Sequence, residues 1–343
     1  MKKLLALLML MAMALSAPLC ALAETPDHSD LKIALVSDTI GTEQFILQAY
    51  NALMASAEKY GFTATSIECS DTAAWAEKSR NACMAGYDLI IGIGWVAAEP
   101  FSALADEFPE IEFAVIDTIA SNERIKSMAF NTVEGSYVMG AMVAAAFPEQ
   151  KRFGYIGNFQ NQSNFEYRYG FVNGVRSLIS DAELMVNFTD SYSDTTVAYN
   201  LAMQQAAAGC TFIMGSVASS ANQGIYQAAL ELAEKGTPIY TSGLSVDQTT
   251  PDNPYIVTGL TKNTAICTDR IIEEFLSGNF AGGSEIVGFA EDAFCVVGVS
   301  FDANYRNEEI ITDAVLEAGQ KAAEDIRSGA VVLEVPLEGD YQG

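Results

Sequence analysis

Lys32-Ile33-Ala34-Leu35-Val36-Ser37-Asp38 is a continuous apolar run that ends in a carboxylate. A strand buried on both faces reads this way, whereas a half-exposed strand alternates apolar and polar residues, and doubly buried strands belong to parallel sheets covered by helices. Two further runs come later, Leu89-Ile90-Ile91-Gly92-Ile93-Gly94 and Phe113-Ala114-Val115-Ile116-Asp117, the second again closing on aspartate. Helical patterns lie between them. Over residues 43–60, Phe45, Ala49, Leu53 and Ala57 recur at four-residue spacing as one apolar stripe, which Gly61 ends. This alternation predicts parallel α/β architecture.

The pattern restarts after the polar stretch Pro148–Arg152, with strands expected at 152–156, 183–188, 211–215 and 238–241 and helices at 165–178, 195–208 and 222–234. A Thr/Pro/Asn cluster at 249–254 predicts a second crossing, after which a helix over 263–276 returns to the first half. The expected organisation is two lobes. Residues 31–148 plus about 255–288 form the first, and residues 151–250 plus about 289–336 form the second, each a parallel sheet flanked by helices. Open parallel sheets bind ligands outside the carboxyl ends of their strands, so two facing sheets make a cleft, and several crossings make a hinge.

Ahead of the first strand stands a leader-like segment: Lys2 and Lys3, the uncharged apolar stretch Leu4–Leu15, and Ala21-Leu22-Ala23 as a small-x-small cleavage site. Residues 1–23 are therefore expected to be a signal peptide, and the protein to be exported. Cys20 raises lipid attachment as the alternative, but Ala17-Pro18-Leu19 fits a lipoprotein signal poorly. The chain carries −26, from 18 basic and 44 acidic residues, and loss of the two leader lysines leaves −28. Such a charge repels nucleic acid and anionic lipid. The remaining cysteines, Cys69, Cys83, Cys210, Cys267 and Cys295, are odd in number and lack CxxC spacing, which argues for buried thiols over zinc or a disulfide framework. The single histidine, His28, leaves neither a Ser-His-Asp base nor a His-based metal cluster, and no cofactor is implied.

Candidate binding residues are found at the strand ends. Asp38 and Asp117 sit just past first-lobe strands, where carboxylates can accept paired hydrogen bonds from hydroxyls or an amino group; helix capping is the ordinary alternative. Phe45, Trp95 and Tyr226 are the aromatics nearest the expected cleft and could stack on a planar ligand, against the ordinary role of core packing. Lys262 follows a strand and opens a helix and could reach a ligand oxygen, against the ordinary role of a solvated surface lysine. Gly92-Ile93-Gly94 lacks the third glycine of a dinucleotide fingerprint and reads as close packing. A carboxylate hydrolase would need a pair such as Glu166 and Asp194, which no spacing links.

Taken in order, several stretches resemble the basic membrane protein (Bmp/Med-type) family of substrate-binding proteins for ABC importers. They are Ala34-Leu35-Val36-Ser37-Asp38, Gly86-Tyr87-Asp88-Leu89-Ile90-Ile91-Gly92-Ile93-Gly94, Phe113-Ala114-Val115-Ile116-Asp117, Glu134-Gly135-Ser136-Tyr137-Val138-Met139-Gly140, Gly170-Phe171-Val172-Asn173-Gly174-Val175, Asn222-Gln223-Gly224-Ile225-Tyr226-Gln227-Ala228-Ala229, Val246-Asp247-Gln248 and Ile326-Arg327-Ser328-Gly329. The resemblance implies a two-lobed, type I periplasmic-binding-protein-like fold, no chemistry, and an ABC permease as partner. Several family members bind purine nucleosides. By resemblance, Asp38 would contact the ligand, Phe45 and Tyr226 would sandwich its ring, and Asp117 and Lys262 would hold sugar hydroxyls. Closure of the lobes is expected to bring Asp38, Phe45 and Asp117 towards Tyr226 and Asp247. Two positions depart from the pattern: Ile46 replaces a usual asparagine, and Ser245 an aspartate. The expected ligand is accordingly nucleoside-like. The rival readings are an extracellular sensor domain working with a receptor and, further off, a nucleoside hydrolase.

Overall fold

The computed structural model describes residues 28–40, 44–218, 220–289 and 291–336, so the expected leader and Cys20 lie outside the described residues. Two six-stranded sheets organise the chain. The first runs β2 (Thr63–Glu68), β1 (Lys32–Ser37), β3 (Leu89–Ile93), β4 (Glu112–Ile116), β5 (Lys126–Phe130), β11 (Gly283–Val287), all parallel. The second runs β7 (Glu183–Phe188), β6 (Arg152–Gly157), β8 (Phe212–Ser216), β9 (Tyr240–Ser245), β10 (Ile256–Lys262), β12 (Phe294–Val296), parallel except for the antiparallel β10–β12 pair. Both sheets thus use one strand order, as expected of a pattern that restarts. This is a two-lobed α/β molecule of the type I periplasmic-binding-protein kind.

The apolar runs became strands for the reason given by their composition. β1, β3 and β4 are buried almost end to end because helices cover both faces. On the first lobe these include α1 (Gln44–Tyr60), α2 (Thr72–Met84) and α3 (Ala98–Glu107). The Phe45/Ala49/Leu53 stripe of α1 faces the core, with Ala49 and Leu53 fully buried. α2 starts where Asp71 accepts the Ala74 amide at 3.0 Å, an N-cap of ordinary type.

The crossings lie elsewhere than the polar stretches suggest. α4 (Thr132–Ala146), expected in the first lobe, packs on α5 (Gln162–Arg176) and α9 (Asp313–Arg327) of the second. The chain therefore changes lobe at 130–132, and Pro148–Arg152 is only the turn leading into β6. The cause is shape. A Cβ at Gly140 would lie 2.2 Å from the Phe171 carbonyl oxygen, and one at Gly174 would lie 2.0 Å from that of Tyr137, so α4 and α5 meet backbone to backbone. Likewise β10 stays in the second sheet, and the return passage falls at 262–264, before α8 (Thr264–Leu276), and not at 249–254. α8 packs on α1, and β11 joins β5, which completes the first lobe; a third passage between Val287 and Phe294 ends in β12. At the hinge the Asn131 amide donates to Val287 O at 2.8 Å, and the Asn263 amide to Ala293 O at 2.8 Å.

Candidate functional site

β1, β3 and β4 are neighbours, so the residues just past their carboxyl ends share one rim of the first sheet. Asp38 comes directly after β1, Trp95 after β3 and Gly94, and Asp117 after β4. Neither aspartate caps a helix: α1 begins at Gln44, and the element after Asp117 is β5. Asp117 adopts a left-handed backbone (φ 67°), uncommon for a residue with a Cβ, while its amide still pairs with Met128 O at 2.8 Å. Such strain is tolerated where the surroundings over-determine the conformation.

The partner that over-determines it is Lys262, the last residue of β10 in the opposite sheet. Its Nζ donates to both Asp117 oxygens, at 2.7 and 2.8 Å. The side chains are 15% and 24% exposed, so the pair is screened far less than a surface bridge. Phe45 and Phe130 flank the ammonium with ring centroids at 5.9 and 5.6 Å. Burial disfavours the lysine's charge, but Asp117 and the buried Tyr167 outweigh that and hold its pKa above the ordinary lysine value. Burial in turn pushes the Tyr167 phenol up. The constellation joins first-lobe and second-lobe strand ends with a donor, an acceptor and ring faces in one place.

Asp38 stands exposed at the neighbouring strand end, with Oδ1 accepting from the buried Trp75 indole at 3.2 Å. Phe45 is half-buried, and its carbonyl accepts from Thr264 Oγ1 at 2.7 Å, which ties α1 to the start of α8. Trp95 is 67% exposed, the first residue of a single 3₁₀ turn. Ile46, at a position where the resembled family carries asparagine, is buried in the first-lobe core, so an apolar residue there serves packing.

Two expected contacts are placed differently. Tyr226, on α7 (Asn222–Glu234), is buried in the second-lobe core with Ile156, Ile213 and Ile225, apart from Phe45. Its hydroxyl donates to Gln248 Oε1 at 2.8 Å, and burial raises its pKa. A ring packed this way does not offer a free face for stacking. Asp247 is engaged by its own loop and a neighbouring one: Oδ1 accepts from Thr249 N (2.9 Å) and Thr249 Oγ1 (2.7 Å), and Oδ2 from Asn304 N (2.6 Å). A carboxylate at a turn after a strand reads the same in sequence whether it faces a ligand or a neighbouring loop. Trp75, Phe130 and Tyr167 escape sequence reasoning, because a buried indole or ring carries no local mark of what its polar end meets.

The carboxylates considered for hydrolysis serve different partners. Asp194 caps α6 (Thr195–Ala207) through the Val197 amide, and Glu166 lies 3.4 Å from both Thr132 Oγ1 and Gln162 Nε2. The five described cysteines are all buried free thiols, with burial lifting Cys69, Cys83 and Cys210 to about 11 and Cys267 to about 12. Among the described residues, no helix is long and apolar enough to cross a membrane.

Two sheets of equal strand order, linked by three passages among the described residues, define a two-lobed fold of the type I periplasmic-binding-protein kind. Solved structures agree on the fold. A solute-binding protein from Aeropyrum pernix superposes with a TM-score of 0.74 at 18% identity, covering 90% of this chain and 95% of the other. A transcriptional activator of the comK gene from Bacillus halodurans superposes with a TM-score of 0.72 at 20% identity, covering 87% and 98%. The chain belongs to the Bmp family of PnrA-like ABC transporter substrate-binding proteins, whose profile matches residues 32–332. Relatives include the ABC transporter nucleoside-binding protein BmpA of Lactococcus lactis, 23% identical over 324 residues with 89% of each chain covered. The CD4+ T-cell-stimulating antigen of Listeria innocua is 24% identical over 302 residues, covering 82% of this chain and 83% of that one.

Proposed function

We propose that this protein, exported to the outer face of the cell membrane, captures a nucleoside-like solute between its lobes and passes it unaltered to the permease of an ABC importer. The observation that carries the reading is the Asp117–Lys262 pair, held between the strand ends of opposite sheets beside Phe45. Vicinal hydroxyls entering there meet an ammonium that donates and a carboxylate that accepts, which is the complement of a ribose edge. Phe45 supplies a ring face for a base, and Asp38, oriented by Trp75, keeps Oδ2 for a ligand donor. The Lactococcus lactis relative's description as nucleoside-binding supports the same class.

Tyr226 and Asp247 enter this reading only if ligand-driven closure frees them. Ile46 and Ser245 remove two polar partners a purine would need, and each unpaired buried group would cost ~1–3 kcal/mol, so the ligand need not be a standard purine nucleoside. Calorimetry against a panel of nucleosides, sugars and amino acids tests the proposal. Saturable binding confined to nucleosides is expected, with loss of binding in D117N; silence across the whole panel would defeat it.

A further inference from the structure

Beyond α9 the chain does not simply end. Gly329 turns it through a left-handed backbone (φ 73°), and the Val331 amide donates to Asp325 O at 2.9 Å. Residues 331–336 then run back along α5. The Tyr169 hydroxyl donates to Glu334 O at 3.0 Å, and Gln162 Nε2 to Pro336 O at 3.4 Å. Side chains alternate along this extended stretch: Val331, Leu333 and Val335 are half-buried, while Val332 is 74% exposed and Glu334 is exposed. An inward apolar row on a segment without strand partners needs a surface to cover.

That surface is the hinge. Leu333 and Val335 line a cavity of about 260 Å³ together with Phe130 and Thr132 at the first passage, Glu166 of α5, and Ile286 of β11. Ile286 belongs to the first sheet and Glu166 to the second lobe, so the tail faces both sides of the joint. Opening the lobes requires backbone rotation at the passages, which would move the Phe130 and Ile286 wall relative to a tail pinned to α5.

We infer that Val331–Pro336 is a strap across the hinge edge, and that its contacts bias the molecule toward the lobe arrangement of this structure. The strap acts only on the equilibrium between lobe orientations, so it needs no ligand and stands apart from the proposed cargo. Losing two half-buried apolar side chains from the joint shifts the ratio of the two orientations by roughly tenfold, equivalent to ~1.4 kcal/mol.

The test is an inter-lobe distance distribution by double electron–electron resonance, with spin labels at M84C on α2 and L230C on α7. Both sites are exposed, and the five described native thiols are buried. Full-length L333S/V335S, without ligand, is expected to gain a second distance population and a larger radius of gyration in X-ray scattering. A chain ending at Gly329 serves as the second variant, and circular dichroism identifies which variants fold. Distances and radius unchanged from wild type in a folded variant overturn the proposal.

Discussion

Lys262 keeps its charge with its ammonium mostly out of water, because Asp117 lies against it with two contacts below 3 Å. Removing one partner of such a pair leaves the other buried and unpaired. For K262M this costs about 1–3 kcal/mol, below the figure for fully buried pairs because both side chains keep some solvent. Urea unfolding at pH 7 measures it. The pH dependence has a definite sign. The folded pKa lies above the ordinary lysine value, so below ~10.4 both states are protonated and the pair's stabilisation is complete. Above that the unfolded chain loses its proton first, and stability falls as pH rises through the folded pKa. The gap between wild type and K262M should hold steady from pH 7 to 10 and narrow beyond; a gap that widens there contradicts the assignment. Asp117 and Lys262 were readable as strand-end residues. Their mutual contact was not, because 145 positions separate them and only the facing of two sheets brings them together.

At the scale of elements, α4 and α5 are the decisive pair. Their close approach depends on Gly140 and Gly174, where a methyl group would strike a carbonyl oxygen of the facing helix. G174A should therefore destabilise the fold by ~1–3 kcal/mol through overpacking, even though alanine favours an isolated helix. Chemical denaturation decides between the two effects: a neutral or stabilising G174A would mean that the helices do not meet backbone to backbone. The same pair shows what the sequence carried and what it did not. Strands such as β1, β3 and β4 were legible because burial on both faces demands unbroken apolar runs. The lobe to which α4 belongs was not legible. It is buried on nearly every side, so it has no polar face to announce an orientation, and its partner is selected by the absence of side chains. The polar turn at 148–152 has the composition of a linker, whereas the true passage at 130–132 carries no such mark.

The largest scale concerns cooperativity. One core cluster draws on both lobes, from Ile33 and Leu35 of β1 to Phe153, Phe171 and Phe212, and α4 lies within it. Among the described residues three passages join the lobes, and neither lobe is one continuous stretch of chain. Both tryptophans, Trp75 and Trp95, report on the first lobe, whereas circular dichroism reports on the whole. The two signals should change together in urea, with one midpoint; separated midpoints would show that the lobes unfold independently.

The interleaving also constrains how the molecule can be born. The first sheet lacks its outermost strand until residue 287 has left the ribosome, and the second lacks its own until residue 296. The two sheets are therefore completed almost together, not one lobe after the other. Most of the polypeptide must emerge before either half can be finished, and a truncated transcript would yield two incomplete sheets with raw edges and no autonomous lobe.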